Sequence, residues 1–376
     1  MDFRRSDEQQ ARYTRVETAA RELSSGSAAD GFRRRDWTTL AAMGLLGAAV
    51  PEEDGGSGFG ALDTAMLYEA AGEGCTDTGL LFAAAAHLFA CVRPVVEFAS
   101  AATRRKLLPA LCSGELIAGN AMTEREAGSD VSRLATRAAR VDGGYILDGT
   151  KSFVSNGPVA DVYVTYATTD PDGAYFNTTA FLVDRDSPGL VAGAPMDKAG
   201  LATCQAGQVA FAGCFVPDDR VLGSPGQGRL VFQESMHWER SCLFAIYLGQ
   251  QERLIRRCVE HVRERRQFGT RLADIQPVAD RLAEMKLRLE SGRLLLYRAC
   301  AEIDSGRDPS LWSAMAKLAV SEAAIATALD AARIFGGRGY LKEYGIEEAV
   351  RDAMPATTFS GTSDIQRQLI ARGMGL

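Results

Sequence analysis

The sequence predicts an α+β fold in which a helical block, a β block and a second helical block follow one another along 376 residues. Three observations carry this. Apolar residues recur at helical spacing over the first ~118 residues, the period falls to two between about 119 and 224, and helical spacing returns from 225 onward. A chain of this length suits two or three packed domains better than one core. The expected domains are therefore 1–118, 119–224 and 225–376.

In the first block, "RRDWTTLAAMGLLGAAVP" has apolar residues at helical spacing, stops at glycines and runs into the loop "EEDGGSGFG". "ALDTAMLYEAAGEG" and "GLLFAAAAHLFACVRPVVEFAS" continue the pattern, and the second is apolar nearly all round, as a buried helix is. In the second block, "YILDGTKSFVSNGPVADVYVTYATT", "TTAFLVDRDSPG" and "CQAGQVAFAGCFVP" are β-branched and aromatic runs divided by Gly, Pro, Asn and Asp. Their close spacing leaves no room for crossover helices, which favours an antiparallel barrel or sandwich. In the third block, Leu282, Met285, Leu289, Leu296 and Cys300 share one stripe of a long helix opened by Pro277. "LWSAMAKLAVSEAAIATALDAARIFGG" then runs to a glycine stop, with Met315, Leu318, Ile325 and Leu329 expected on its inner face. An antiparallel bundle follows.

A balance of 42 basic against 48 acidic residues gives a net charge of -6, which argues against broad binding to nucleic acid or to an anionic membrane. The start, "MDFRRSDEQQARYTRVE", is charged throughout and does not read as a secretory signal. The longest apolar run, Gly79 to Val92, is interrupted by His87 and is shorter than the ~20 residues that span a bilayer. A cytoplasmic protein without membrane contact is the expectation. Cysteines 75, 91, 112, 204, 214, 242, 258 and 300 form no CxxC pair, and with three histidines no metal site of ordinary spacing is visible. Most of these cysteines read as small buried hydrophobes.

Four stretches carry possible chemistry, and each has a plain alternative. "GGSGFG" has the wrong spacing for a dinucleotide fingerprint and "DGTKS" lacks the adjacent Gly-Lys of a P-loop, so neither counts. "AMTEREAGSD" (121–130) lies where helices give way to strands; Thr123, Ser129 and amides near Gly128 can donate to a ring or a pyrophosphate, or simply form a polar turn. In "GTKSFVSNG", Phe153 and Ser155 fall on one face of a strand, able to pack on a flat ring and bond its edge, or to be a core Phe beside a surface Ser. "RERRQFGTRLADIQ" offers Arg265, whose paired donors suit a pyrophosphate, with Phe268 and Gln276, or else a solvated helix end. "RIFGGRGY" permits close backbone approach at Gly336 and Gly337, or is only a helix stop.

Taken together and in this order, these stretches resemble the acyl-CoA dehydrogenase family over nearly the whole chain: "W..L...GL.G..VPEE.GG.G", "MTE.EAGSD", "R.QFG" and "IFGG.GY". The resemblance implies a helical domain, a β-domain and a four-helix bundle, with FAD bound in extended form. Its ring would lie among Met122, Thr123, Gly128, Ser129, Phe153 and Ser155. Its pyrophosphate and adenosine would meet Arg265, Phe268 and Gln276 of a neighbouring copy, together with Arg333, Gly336, Gly337, Thr362 and Asp364. Phe153 stands where the family usually has tryptophan, and Arg333 where it often has glutamine. The resemblance also places Ser129, Arg240 and Gly361 against the substrate, and implies at least a dimer, with a tetramer expected.

One position departs from the family. "TTFSGTSDIQ" has Ser360 where most members carry the glutamate that removes the proton alpha to a thioester. A carboxylate meets that task, and an unactivated serine does not. The Ser360 backbone amide retains the family's other role there, holding the thioester carbonyl as charge develops. Some members carry the base on the helix of "ESMHWERSCLFAIYLGQ", directly before an arginine, and Glu239-Arg240 matches that placement. Trp238 and the apolar run after 241 suggest partial burial, which raises a carboxyl's pKa while Arg240 opposes it. An ion-paired surface glutamate is the alternative.

"GCTDTGLLFAAAAHLFA", "SNGPVADVYVTYATT", "WERSCLFA" and "FSGTSDIQ" further resemble the members that oxidise prolyl groups on a peptidyl carrier protein, converting them to pyrrole-2-carboxyl groups by two oxidations. That implies a phosphopantetheine arm in the cleft and a carrier protein at its mouth. Oxidation of another aminoacyl or hydroxyacyl carrier-protein thioester, oxidation of a short-chain acyl-CoA, and a flavin-binding scaffold without turnover are the other readings.

Overall fold

The computed structural model describes residues 4–23, 31–170, 173 and 177–376. The N-terminal block contains α1 (Asp7–Leu23), α2 (Arg34–Ala42), α3 (Ala61–Gly74), α4 (Thr78–Ala85), α5 (Arg93–Phe98) and α6 (Ala101–Cys112). Asp77 starts α4 by accepting the Leu80 amide, and Ser100 starts α6 by accepting that of Thr103, each satisfying a donor that an open helix end leaves free. Between α4 and α5 the backbone stays helical through a π-helical stretch, Ala86–Val92. The resulting helix, Thr78–Phe98, is 21 residues long, so the expectation of a short apolar run is corrected: helix continues past Arg93. By length and composition it is apolar enough to cross a membrane, and its most apolar window is wholly buried inside the fold.

The middle block is an eight-stranded sheet built from β1 (Ala118–Ala121), β2 (Arg137–Val141), β3 (Gly144–Ser155), β4 (Val162–Thr168), β5 (Thr178–Asp184), β6 (Leu190–Ala192), β7 (Ala206–Pro217) and β8 (Val221–Leu222). The order is β6-β7-β3-β2-β4-β5-β8, with β1 beside β4. The antiparallel expectation holds for most pairs but not for all. β1 pairs β4 in parallel, Ala118 opposite Val162, and β2 touches β4 in parallel at Arg137 and Thr168. The sequence "AGNA" of β1 is too short and small to show alternation, so this pairing left no mark in the period. Both faces of β4 are covered: Val162, Val164 and Tyr166 join the large helical core, while Tyr163 and Ala167 join a second core with Leu147, Phe181 and Val209.

The C-terminal block holds α7 (Gly228–Trp238), a π-helical segment Glu239–Leu243, α8 (Ala245–Glu264), a hairpin β9 (Arg266–Gln267) and β10 (Thr270–Arg271), then α9 (Gln276–Asp304), α10 (Ser310–Phe335), α11 (Ile346–Ala353) and α12 (Ser363–Gly373). α9 buries Met285, Leu289, Leu296 and Cys300 as its stripe requires. α10 does not follow expectation. Met315, Leu318 and Ile325 are half-buried and Leu329 is exposed, while Ala314, Ala316, Val320, Ala324, Thr327 and Ala328 face inward. α10 packs against α8, α9, α11 and α12, and small residues let those neighbours approach on several sides. α3 and α8 meet as closely: a side chain at Gly249 would lie 2.1 Å from the Glu69 carbonyl oxygen, and one at Gly72 2.2 Å from that of Ile246. All eight cysteines are buried and unbridged.

Candidate active site

Glu239 opens the π-helical segment that follows α7, and only 7% of its surface is exposed. A π-turn widens the helix by one residue and is a common device for aiming a side chain. The Ser360 hydroxyl donates to Oε1 of Glu239, and Oε2 is buried with no hydrogen-bond partner. Ser360 itself has a left-handed backbone, φ +56°, followed by Gly361 at φ +88°. That conformation costs a non-glycine residue about 1–2 kcal/mol. Its carbonyl is clamped by the Arg240 Nε donor at 3.0 Å and the Gln366 Nε2 donor at 3.2 Å. A side chain at Gly361 would lie 2.7 Å from Gln366 Nε2 and push that amide off the Ser360 and Gly361 carbonyls.

Burial pushes the Glu239 carboxyl above its usual range, while the Ser360 hydroxyl, Arg240 and Lys317 pull the other way. Burial pushes Arg240 down to about 10 against the attraction of Glu239, and it remains a cation at neutral pH. Three further groups surround the carboxylate that sequence reasoning did not single out. Lys317 of α10 is fully buried, its Nζ has no hydrogen-bond partner, and it sits 5.4 Å from the centre of the Phe244 ring. Burial pushes it down to about 8. Tyr166 of β4 packs edge-on against Phe232 of α7 and, like Cys91, is close enough to feel the Glu239 charge. A signal existed for Lys317, the one charge between Ser310 and Ser321. None existed for Tyr166 or Cys91.

Beside Ser360, Phe359 packs on Phe82 at 4.6 Å and on Phe244 at 5.4 Å between ring centres, with Tyr247 at 6.4 Å. These rings fill the volume next to the Ser360 turn.

The residues expected to hold a flat ring come together at the start of the β block. The Lys151 ammonium donates to the Met122 carbonyl at 3.1 Å and pairs with Glu124 at 2.8 Å, and the Ser152 amide donates to the Thr123 carbonyl. Glu124 also accepts the amides of Ala135 and Thr136, so a buried carboxylate pins the whole 122–136 loop. Gly128 and Ser129 are exposed on it. Phe153 does not alternate simply with Ser155 as expected. A register shift between Lys151 and Val154 puts a bulge there, Phe153 takes φ +56°, and its ring is 65% exposed while Ser155 is half-buried.

A second group lies at one end of the bundle. The β9–β10 turn is Phe268-Gly269 with φ +52° and +79°, a two-residue hairpin that leaves Phe268 97% exposed. Arg265 and Gln276 flank it, both exposed. His261, one turn before Arg265, stacks on Phe335 at 4.3 Å, which brings Gly336 and Gly337 to the same end. A side chain at either glycine would meet nothing within 4 Å. Arg333 pairs with Asp330 at 3.0 Å. Thr362 caps α12 by accepting the Ile365 amide, and Asp364 is an exposed partner of Arg367. Among the described residues, five non-glycine residues have positive φ: Phe153, Asn156, Leu201, Phe268 and Ser360. Three of them are expected site residues, and such strain collects where function holds it.

Three family models match the chain: the acyl-CoA dehydrogenase N-terminal domain over residues 6–115, the middle domain over 119–214 and the C-terminal domain over 226–375. An L-prolyl-[peptidyl-carrier protein] dehydrogenase of Pseudomonas fluorescens is 54% identical over 92% of this chain and 91% of its own length. One of a Serratia species is 42% identical over 90% and 88%. The solved structure of PigA with FAD and proline superimposes with a TM-score of 0.98 at 40% identity, covering 100% of both chains.

Proposed function

The chain belongs to the acyl-CoA dehydrogenase family, and from that premise we propose that it oxidises an L-prolyl thioester on a peptidyl carrier protein to the pyrrole-2-carboxyl thioester. It is an FAD-dependent oxidoreductase acting on CH–CH bonds. The observation that carries the reading is the Glu239 carboxylate: buried, held at one oxygen, unpartnered at the other, and facing a turn from which the usual acid is missing.

The residues present fit FAD. An exposed aromatic ring on a strained bulge, exposed backbone at Gly128, and open space above Gly336 and Gly337 suit a large planar ligand approaching main chain. Met122, Thr123, Gly128, Ser129, Phe153 and Ser155 would hold its ring. Arg265, Phe268 and Gln276 from a second copy, with Arg333, Gly336, Gly337, Thr362 and Asp364, would hold the rest. The chemistry that bound FAD would supply there is acceptance of a hydride from the beta carbon.

Glu239 takes the alpha proton through Oε2. The Ser360 amide bonds the thioester oxygen, where negative charge grows as the proton leaves. Arg240 clamps the Ser360 carbonyl and keeps that amide aimed, and Gly361 and Ser129 would meet the substrate. Rings packed beside Ser360 support a small acyl group rather than a long tail. Prolyl to pyrrole-2-carboxyl takes two two-electron oxidations, the second on the ring beyond the alpha carbon. Together they remove four hydrogens, two as protons and two as hydrides, and an external electron acceptor, oxygen or a flavoprotein, would reoxidise the flavin between them. The thioester arm calls for a carrier protein at the cleft mouth, and an FAD site shared between copies calls for at least a dimer. Incubation with proline-loaded carrier protein is expected to lower the carrier's mass by four hydrogens, with butyryl-CoA left unoxidised. The opposite selectivity sinks the proposal.

A further inference from the structure

We propose that the Ser360 side chain is the positioning residue of the base: its hydroxyl fixes one oxygen of Glu239 and leaves the other free for the substrate proton. The inference rests on the reading of Glu239 as base and adds a function for the side chain that replaces the family's usual acid.

The geometry is specific. Ser360 stands in the left-handed region that serine rarely adopts, and its own carbonyl is held from two sides by Arg240 and Gln366. Those two clamps come from the same π-helical segment as Glu239 and from α12. The backbone is therefore over-determined, and Oγ is directed at Oε1. Oε1 and Oε2 are chemically equal in a free carboxylate. Here one is a hydrogen-bond acceptor already engaged, and the other is buried without a partner. A buried acceptor lacking a donor is expensive unless a ligand supplies one or takes its place in the chemistry.

A donor to the charged form also sets when the base is available. Glu239 is faced by Arg240 on its own segment, Lys317 on α10, Cys91 on the first π-helical stretch and Tyr166 on β4, with Glu322 acting on Lys317. Burial, the largest influence, favours the protonated and useless form. Ser360 opposes burial by donating to the ionised carboxylate, so deleting its hydroxyl lets the carboxyl titrate higher. A hydrogen bond to a charged group of ordinary strength corresponds to about one to two pH units.

The test measures flavin reduction by prolyl-loaded carrier protein in the holoenzyme across pH, together with infrared titration of the Glu239 carboxylate by difference from Glu239→Gln. Ser360→Ala and Ser360→Gly both remove the hydroxyl, and the glycine variant also relieves the left-handed backbone, so agreement between them excludes strain as the cause. Ser360→Asn tolerates that backbone and keeps a donor. The expected result is an acid limb and an infrared midpoint raised by about one to two pH units in the Ala and Gly variants, and by less in Asn. Unchanged midpoints in Ala and Gly, with Glu239→Gln inactive, overturn the positioning role while leaving the base in place. An active Glu239→Gln overturns the base itself.

Discussion

Around Glu239, the groups that face the carboxylate, Lys317, Tyr166 and Cys91, are buried, as is Glu239 itself. At the other end, Phe268 is 97% exposed and Arg265, Gln276, Gly336 and Gly337 all face outward. Both ends carry strained backbone, at Ser360 and at Phe268. Strain at Ser360 is held by Arg240 and Gln366, whereas Phe268 sits on a hairpin tip with its ring 97% exposed. The end proposed to remove the proton is enclosed by buried groups. The end proposed to hold the distal part of FAD is exposed, as a cofactor shared with a second copy would require.

The sharpest way to break this contrast is at the enclosed end. Glu239→Gln keeps the shape and the Ser360 contact but removes the base, and general-base loss is worth about a hundredfold to ten-thousandfold. Flavin reduction by prolyl-loaded carrier protein is expected to fall by that much, with the flavin content and the oligomeric state unchanged. A rate within a few fold of the parent places the base elsewhere.

The next test addresses the open end. Arg265→Ala removes paired donors suited to a pyrophosphate, and FAD affinity is expected to drop about tenfold to hundredfold, read by flavin release on dilution. Because the proposed site takes its base from one chain and Arg265 from another, mixing the Glu239→Gln and Arg265→Ala proteins under subunit exchange is expected to restore activity. Random pairing of symmetric copies regenerates roughly a quarter of the sites. No recovery in the mixture, with exchange demonstrated, means that each chain builds its own site.

The two ends also differed in how far sequence exposed them. Helical and strand periods located the three blocks, and Met285, Leu289, Leu296 and Cys300 faced the core as their spacing required. Reading α10 by its largest apolar residues chose the wrong face, because a helix with neighbours on several sides buries alanine and valine and leaves Met315 and Leu318 half out. Strand alternation failed at Phe153, where a bulge turns the ring outward. The sequence pointed to Glu239 because a carboxylate directly before an arginine stands where some family members carry the base, while Ser360 occupies the usual position of the acid. The hydrogen bond between Glu239 and Ser360 was not, since it joins residues 121 positions apart. Lys317 was written in the sequence as the one charge between Ser310 and Ser321, yet nothing local told that it points inward.

That lysine gives the smallest predicted effect and the test of what the enclosed end does to stability. Lys317 is fully buried with no hydrogen-bond partner, and burial pushes it down to about 8, with Arg240 adding to the shift and Glu322 and Glu239 opposing it. In the unfolded chain a lysine titrates near 10.4. Between about pH 8 and pH 10.4 the unfolded state therefore binds a proton that the folded state does not, so this group makes stability rise with pH across that window. Below about 8 both states hold the proton, and the folded state carries the whole penalty of a desolvated ammonium. Lys317→Met keeps the length of the stem, removes the charge and is expected to stabilise the fold by about 2–3 kcal/mol at pH 7. The gain should shrink as pH climbs through the window and be mostly gone near pH 10, as read by denaturant unfolding at fixed protein and FAD concentration. A gain that is absent at pH 7, or independent of pH, means that Lys317 is not a desolvated cation. A gain accompanied by a weaker base at neutral pH means that the enclosed end of the cleft is held together against its own stability, with Lys317 retained for the field it places on Glu239.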